Sequence, residues 1–167
     1  MGIMVREATP EDASRIRDVH LASIEGLAWK AYDDEQVRAW AHDRHPDEYP
    51  IESTDTFFVV AEQNGQITGF GWMKPDADDY FGTTVDGEIT AVYIHPSVAR
   101  QGVGTRIYAE LEAEARRNGV ISLGLWASLN AVPFYEAQGY QRITEHTHEF
   151  AEDTEGTVVE MTKSLSR

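Results

Sequence analysis

Apolar residues in this chain follow two different periods. From 88 to 94, Glu88-Ile89-Thr90-Ala91-Val92-Tyr93-Ile94 has the β-branched and aromatic character of a buried strand. His95-Pro96 ends it, because proline has no N–H to give a ladder. The turn Arg100-Gln101-Gly102-Val103-Gly104-Thr105 follows, and the period changes. Ile107, Leu111 and Ala115 recur every four residues with Tyr108 beside them, while Glu110, Glu112, Glu114, Arg116 and Arg117 are expected to face outward. That is an amphipathic helix, and Asn118-Gly119 stops it.

The remaining pattern is read around this unit. Residues 3–8 form a short strand. Thr9 then caps a helix, with Pro10 at its first position, Glu11 and Asp12 in its first turn, and Ala13, Ile16, Val19, His20 and Ile24 facing inward. A second helix begins after Asp33-Asp34, with Val37, Trp40 and Ala41 turned in. Residues 42–55 are polar and proline-bearing, hence a loop. Strands at 57–62 and 67–73 flank Asn64-Gly65, a strong hairpin signal. Residues 74–87 make an acidic loop with Asp76, Asp78, Asp79 and Asp86. After the amphipathic helix come a strand at 121–126, a helix at 132–138 and strands near 141–150 and 157–162. Asp153-Thr154-Glu155-Gly156 is read as the hairpin between the last two. The expected fold class is α/β (α+β): a mixed sheet in one domain spanning 1–167, with helices on both faces.

Composition narrows the functions. The chain has 167 residues, enough for a real core, with 13 glycines, 6 prolines and no cysteine. Disulfides, a thiol nucleophile and zinc–thiolate sites are therefore excluded. No apolar run approaches a membrane span, and the first residues lack a signal-peptide core; a soluble, cytoplasmic protein is expected. Net charge is −15, with 29 acidic residues against 14 basic and only Lys30, Lys74 and Lys163 as lysines. Such a surface repels nucleic acid, and it suggests a proteome adapted to high salt.

The glycine turn carries the candidate chemistry. Glycines admit a ligand close to the backbone, and the first N–H groups of a helix have no internal partner. With the helix dipole they suit an anion such as phosphate. Neither a Walker A lysine pattern nor the GxGxxG fingerprint is present.

These residues resemble the GNAT superfamily of N-acetyltransferases, whose acetyl-CoA signature is a strand, a [QR]-x-x-G-x-[GA] turn and a helix. The matching residues are Ala99-Arg100-Gln101-Gly102-Val103-Gly104, with Ala99 where Gln or Arg is usual. Ala131-x-x-Phe134-Tyr135-x-x-x-Gly139-Tyr140 matches a second block, and residues 159–165 resemble the closing strand. The three blocks, in order, cover most of residues 57–165. The resemblance implies a mostly antiparallel sheet in the order strand, two helices, three strands, helix, strand, helix, two strands. It implies transfer of acetyl from acetyl-CoA to a small-molecule or peptide amine; with the charge, the lack of a membrane span and the lack of further metal ligands, no nucleic acid, membrane or metal partner is expected. Homodimers are frequent in that family.

Residue by residue, the resemblance implies that backbone groups from Arg100 through Gln101, Gly102, Val103 and Gly104 to Thr105 hold the pyrophosphate. An N–H around Val92, Tyr93 and Ile94 serves the oxyanion. Tyr135 is the candidate acid for the CoA sulfur. Glu88, through a water, is the candidate base, with His146 and His148 as competitors on one strand face. The family's asparagine falls on Ser128, whereas Asn130 stands two residues later; either could meet the pantetheine arm, and Asn130 could equally cap the next helix. A His-x-His metal site lacks evident further ligands. Trp29, Tyr32, Trp40 and Tyr49 are candidate acceptor-pocket walls, at least two of them expected to be plain core or surface aromatics. The acidic loops favour a cationic acceptor: a polyamine, an amino sugar or a lysine-like amine. The competing class is a non-catalytic acyl-CoA-binding or regulatory module on the same fold.

Overall fold

A computed structural model describes residues 2–41, 45–77, 81, 84–151 and 153–165. Its elements run β1 (Met4–Glu7), α1 (Ala13–Leu27), α2 (Asp34–Trp40), β2 (Phe57–Gln63), β3 (Gln66–Lys74), β4 (Gly87–Ile94), α3 (Val103–Arg117), β5 (Ser122–Ser128), α4 (Val132–Ala137), β6 (Gln141–Ala151) and β7 (Thr154–Ser164). This is the order the resemblance implies.

Local chemistry accounts for the boundaries. Asp12 accepts from the Thr9 N–H at 2.8 Å, and the single 3₁₀ turn Pro10–Asp12 leads into α1. Asp33 caps α2 by accepting from Gln36 N–H at 2.8 Å, and Gln36 returns the bond from its side chain at 3.0 Å. Asn64 and Gly65 both take positive φ, 55° and 78°, which a two-residue hairpin with this twist requires.

The seven strands form one sheet in the order β1-β2-β3-β4-β5-β7-β6. Every neighbouring pair is antiparallel except β4 with β5. On one face, Ile107, Leu111 and Ala115 of α3 pack with Val59, Ala61, Met73 and Ile89 in a mostly aliphatic core. α4 joins that face through Val132 and Tyr135. On the other face, Ile16 and Val19 of α1 pack on Phe58, Val60 and Phe70, and Val37 and Trp40 of α2 pack near Tyr32 and Phe150.

Two expectations are corrected. The last hairpin is tighter than the sequence suggests: Asp153 takes the left-handed corner (φ 65°), while Thr154, Glu155 and Gly156 already pair with Ala151, Glu149 and His148. Gly156 is no turn residue, since a Cβ there would lie 2.4 Å from the Phe150 ring. Glu112 does not simply face solvent. Lys163 donates to it at 2.7 Å and the Tyr108 hydroxyl at 2.8 Å, and the Tyr108 oxygen in turn accepts from the Tyr140 hydroxyl at 3.0 Å.

Candidate functional site

β4 and β5 run parallel and pair at only two positions, Gly87 with Leu123 and Glu88 with Gly124. Beyond them the strands separate, although β4 continues to Ile94 and β5 to Ser128. A β-bulge at Thr90, where β3 pairs Trp72 with Ala91 and Met73 with Ile89, accompanies the divergence. The splayed edge of β4 therefore offers backbone groups that no β5 ladder bond takes.

A cavity of about 300 Å³ occupies this gap, and its walls come from both faces of the sheet. Val92, Tyr93 and Ile94 line it from β4, and Ala127 and Ser128 from β5. Gly104 at the start of α3 and Tyr135 of α4 line one side. Ser23, Leu27 and Trp40 of the α1–α2 region line the other.

The glycine turn abuts this cavity. Arg100 and Gly102 both take left-handed backbone, φ 66° and 86°. No side chain caps α3, and the Arg106 N–H makes the bond to Gly102 O at 3.0 Å, so the amides of Val103, Gly104 and Thr105 are left without an intrahelical acceptor. A Cβ at Gly102 would meet nothing within 4 Å, whereas one at Gly104 would lie 3.3 Å from the Phe134 ring. The turn is thus open to an anion on its outer side and close-packed on its inner side.

Asn130 gives an independent test of fit to an amide-bearing ligand. It lines the cavity, and its Oδ1 is buried without a hydrogen-bond partner. A buried amide oxygen in that state is normally matched by a donor, and the pantetheine arm of CoA carries amide N–H groups of that kind. Asn130 does not cap α4, whose N-cap is Ala131 with no side-chain bond. Ser128 lines the cavity too.

Tyr135, which also lines the cavity, is buried, 6% exposed, with its ring edge-on to Phe134 and Tyr140. Burial pushes its phenol well above the usual tyrosine value, and the neighbouring Tyr140 and Tyr93 push the same way. The hydroxyl stays protonated throughout the neutral range.

The candidate bases separate. Glu88 sits where β4 and β5 are still paired; it is 3% exposed, its carboxylate lies 3.7 Å from Lys74 Nζ, and it does not line the cavity. His146 stacks on Trp126 with centroids 4.2 Å apart, and its Nε2 lies 2.7 Å from the fully buried Glu160. His148 lines the cavity itself. Among the described residues no group of three His, Asp or Glu side chains is placed to hold a metal ion, and no helix is long and apolar enough to cross a membrane.

Of the four aromatic wall candidates, only Trp40 lines the cavity. Trp29 is 60% exposed and donates to Gly26 O. The buried Tyr32 donates to Thr157 O at 2.7 Å and accepts from Leu129 N–H at 2.9 Å, which ties the α1–α2 turn to the β5–β7 end. Tyr49 is buried against His20. Trp126 and Phe150 line the cavity and were not singled out by sequence. The spacing His146, His148, Phe150 on one strand face was the available signal for Phe150. Asp76 and Asp86 do not line the cavity, and Asp86 accepts from the Ile121 N–H at 3.1 Å. Asp78 and Asp79 lie outside the described residues.

Comparison with known proteins agrees with this geometry. A family model described as an acetyltransferase (GNAT) domain matches residues 28–165. An N-acetyltransferase of Bacillus subtilis, YuaI, is 26% identical over 89% of this chain and 86% of its own length. The crystal structure of a GCN5-related N-acetyltransferase from Rhodopseudomonas palustris superposes with a TM-score of 0.85 at 29% identity, covering 99% of this chain and 97% of that one. The PaiA N-acetyltransferase of Thermoplasma acidophilum, solved in complex with coenzyme A, shares the fold at 21% identity, with a TM-score of 0.71 over 98% and 99% of the two chains. With the glycine turn, the splayed strands and the match over residues 28–165 together, the chain belongs to the GNAT acetyltransferase family and is an enzyme of the acyltransferase class.

Proposed function

We propose that this enzyme moves acetyl from acetyl-CoA directly to a primary amine within the β4–β5 gap. The observation that carries this reading is one cavity holding an unpaired amide acceptor (Asn130), a protonated phenol (Tyr135) and an imidazole (His148), with a free strand edge between them. The α3 amides from Val103 to Thr105, with the turn Arg100-Gln101-Gly102, hold the pyrophosphate. Asn130 Oδ1 accepts from an amide of the pantetheine arm.

Bound CoA supplies an activated acetyl carbon. The amine nitrogen forms the new bond to it with its lone pair, and the carbon–sulfur bond breaks with its electron pair on sulfur. An N–H of β4 between Val92 and Ile94 donates to the acetyl oxygen as negative charge develops there. His148 takes the proton released from nitrogen, because its ring stands in the cavity wall whereas Glu88 lies below the splay beside Lys74. Tyr135 gives its proton to the sulfur, or holds the sulfur by a hydrogen bond; burial keeps the phenol in its protonated form, able to donate that hydrogen bond.

The test is steady-state turnover across pH 6 to 9 for three variants, with acetyl-CoA affinity measured separately. Tyr135→Phe should lower kcat by about 10²-fold, a typical loss for one general acid, with affinity for acetyl-CoA retained. His148→Gln should lower kcat similarly, and Glu88→Gln much less. If Glu88→Gln carries the large loss and His148→Gln does not, the base is Glu88.

A further inference from the structure

One buried acid on the ring-lined face has no part in the transfer described above. Glu160 of β7 is fully buried. β7 lies between β5 and β6 in the sheet, and Glu160 pairs with Trp126 on one side and Thr144 on the other. Its Oε1 lies 2.7 Å from His146 Nε2, where an imidazole N–H donates to the carboxylate. The His146 ring in turn covers one face of the Trp126 indole, with centroids 4.2 Å apart and planes 12° from parallel. Since β5 and β6 are separated by β7, these two rings meet over the strand that carries Glu160. Trp126 lines the cavity, whereas Glu160 and His146 stand behind it.

From this stack, and resting on the acetyltransferase reading above, we infer that Glu160 and His146 are positioning residues for the acceptor amine, acting through Trp126. The carboxylate fixes the orientation of the imidazole. The imidazole, so fixed, stops the indole from turning about its two side-chain torsions. The indole is then held as a wall of the cavity before any amine arrives, and binding does not bear the entropy of ordering it. Packing alone does not call for this arrangement. A fully buried carboxyl costs stability that an apolar side chain of similar size would not, whereas a charge-assisted bond fixes direction as well as distance. His148 and Phe150 follow on the same face of β6, and both line the cavity. The tie from β7 therefore acts on the outer strand just where that strand enters the site. His146 itself stands outside the cavity wall, so it is placed to hold the site and not to take the amine's proton.

His146→Ala, His146→Phe and Glu160→Gln are compared with the parent once unfolding curves show each to be folded. His146 is on the outer strand and its side chain is 28% exposed, so its variants test the inference even where Glu160→Gln does not fold. The acceptor probe is whichever of phenethylamine, spermidine, glucosamine and lysine the parent acetylates fastest. Thiol release gives kcat and KM, and calorimetry gives acetyl-CoA affinity. His146→Ala should raise the acceptor KM about tenfold, the worth of one aromatic stack, with kcat and acetyl-CoA affinity within about twofold of the parent. His146→Phe should restore most of the loss, because a phenyl ring can stack but cannot take a proton. Glu160→Gln, which keeps the shape and loses the charge, should raise KM about two- to threefold. Adding His146→Ala to Trp126→Ala should change little beyond Trp126→Ala alone. In isotope-labelled protein without any amine, the Trp126 indole N–H resonance, identified by its loss in Trp126→Phe, should move or broaden in His146→Ala. A fall in kcat at unchanged KM that His146→Phe does not restore makes His146 a proton carrier; it overturns the inference and leaves the acetyltransferase reading intact. An unmoved KM, or an unmoved indole resonance, overturns it too. Acetyl-CoA binding with no thiol release from any of the four amines overturns the transfer reading and this inference with it.

Discussion

The two faces of the sheet are built from different side chains. Under α3 the packing is mostly aliphatic: Val59, Ala61, Met73 and Ile89 meet Ile107 and Leu111. Gly71 lets the helix come close, because a Cβ there would lie 2.7 Å from Ala91 O and 2.9 Å from Ile107. Under α1 and α2 the packing is aromatic: Phe58, Phe70 and Trp72 cluster with their rings near parallel, and Trp40, Tyr93 and Phe150 continue toward the cavity. The first face ends in unpaired backbone amides at the start of α3. The second presents rings. On the function proposed above, the backbone site would take the acetyl donor and the side-chain site the acceptor.

Substitutions at the two faces should therefore separate thioester binding from acceptor choice. The largest effect is expected at the α3 turn. Gly104→Val adds carbons where a Cβ would already lie 3.3 Å from Phe134, and should weaken acetyl-CoA binding about 100-fold, near 2.7 kcal/mol, in a calorimetric titration of folded protein. Unchanged affinity would show that the backbone approach at Gly104 is not needed. This contrasts with Trp40→Ala, which should alter only the acceptor.

An intermediate effect is expected beneath α3. Gly71→Ala forces a methyl against backbone and should destabilise the fold by about 1–3 kcal/mol in thermal or denaturant unfolding, with little change in acceptor preference. A shift in preference without loss of stability would mean that the two faces are coupled through the sheet.

The smallest effect concerns the polar knot at the outer edge of the α3 face. Burial alone would raise the Glu112 carboxyl, but bonds from Lys163, Tyr108 and Arg116 outweigh it and hold the group below its usual value. A carboxyl depressed in the folded state stabilises above its unfolded pKa, and that contribution is lost as pH falls through its folded pKa. Glu112→Gln should thus cost about 1 kcal/mol or less at neutral pH, since the pair is partly solvated, and the difference from the parent should vanish in acid. A difference that persists in acid would assign the effect to packing.

Features that depend on neighbours in sequence were legible. The Asn64-Gly65 corner, the helical turn that starts at Pro10, the inward row Ile107-Leu111-Ala115 and the glycine turn each follow from a few adjacent residues, because helix period and positive φ are local properties. The end of the chain was less so. Gly156 reads as a turn by composition, whereas its role is to clear the Phe150 ring across the strand pair.

The amino-acid sequence by itself determined the family, the element order and the glycine turn before α3, since these rest on periods and short motifs. Only the tertiary structure decided which side chains share the cavity. It set Glu88 below the point where β4 leaves β5 and brought His148 into the wall. It placed Trp40 beside Phe150 while turning Trp29 to solvent. Such placements depend on where two strands part and on how α2 docks against β6. They are sums over contacts between residues far apart in the chain, and no local period encodes them.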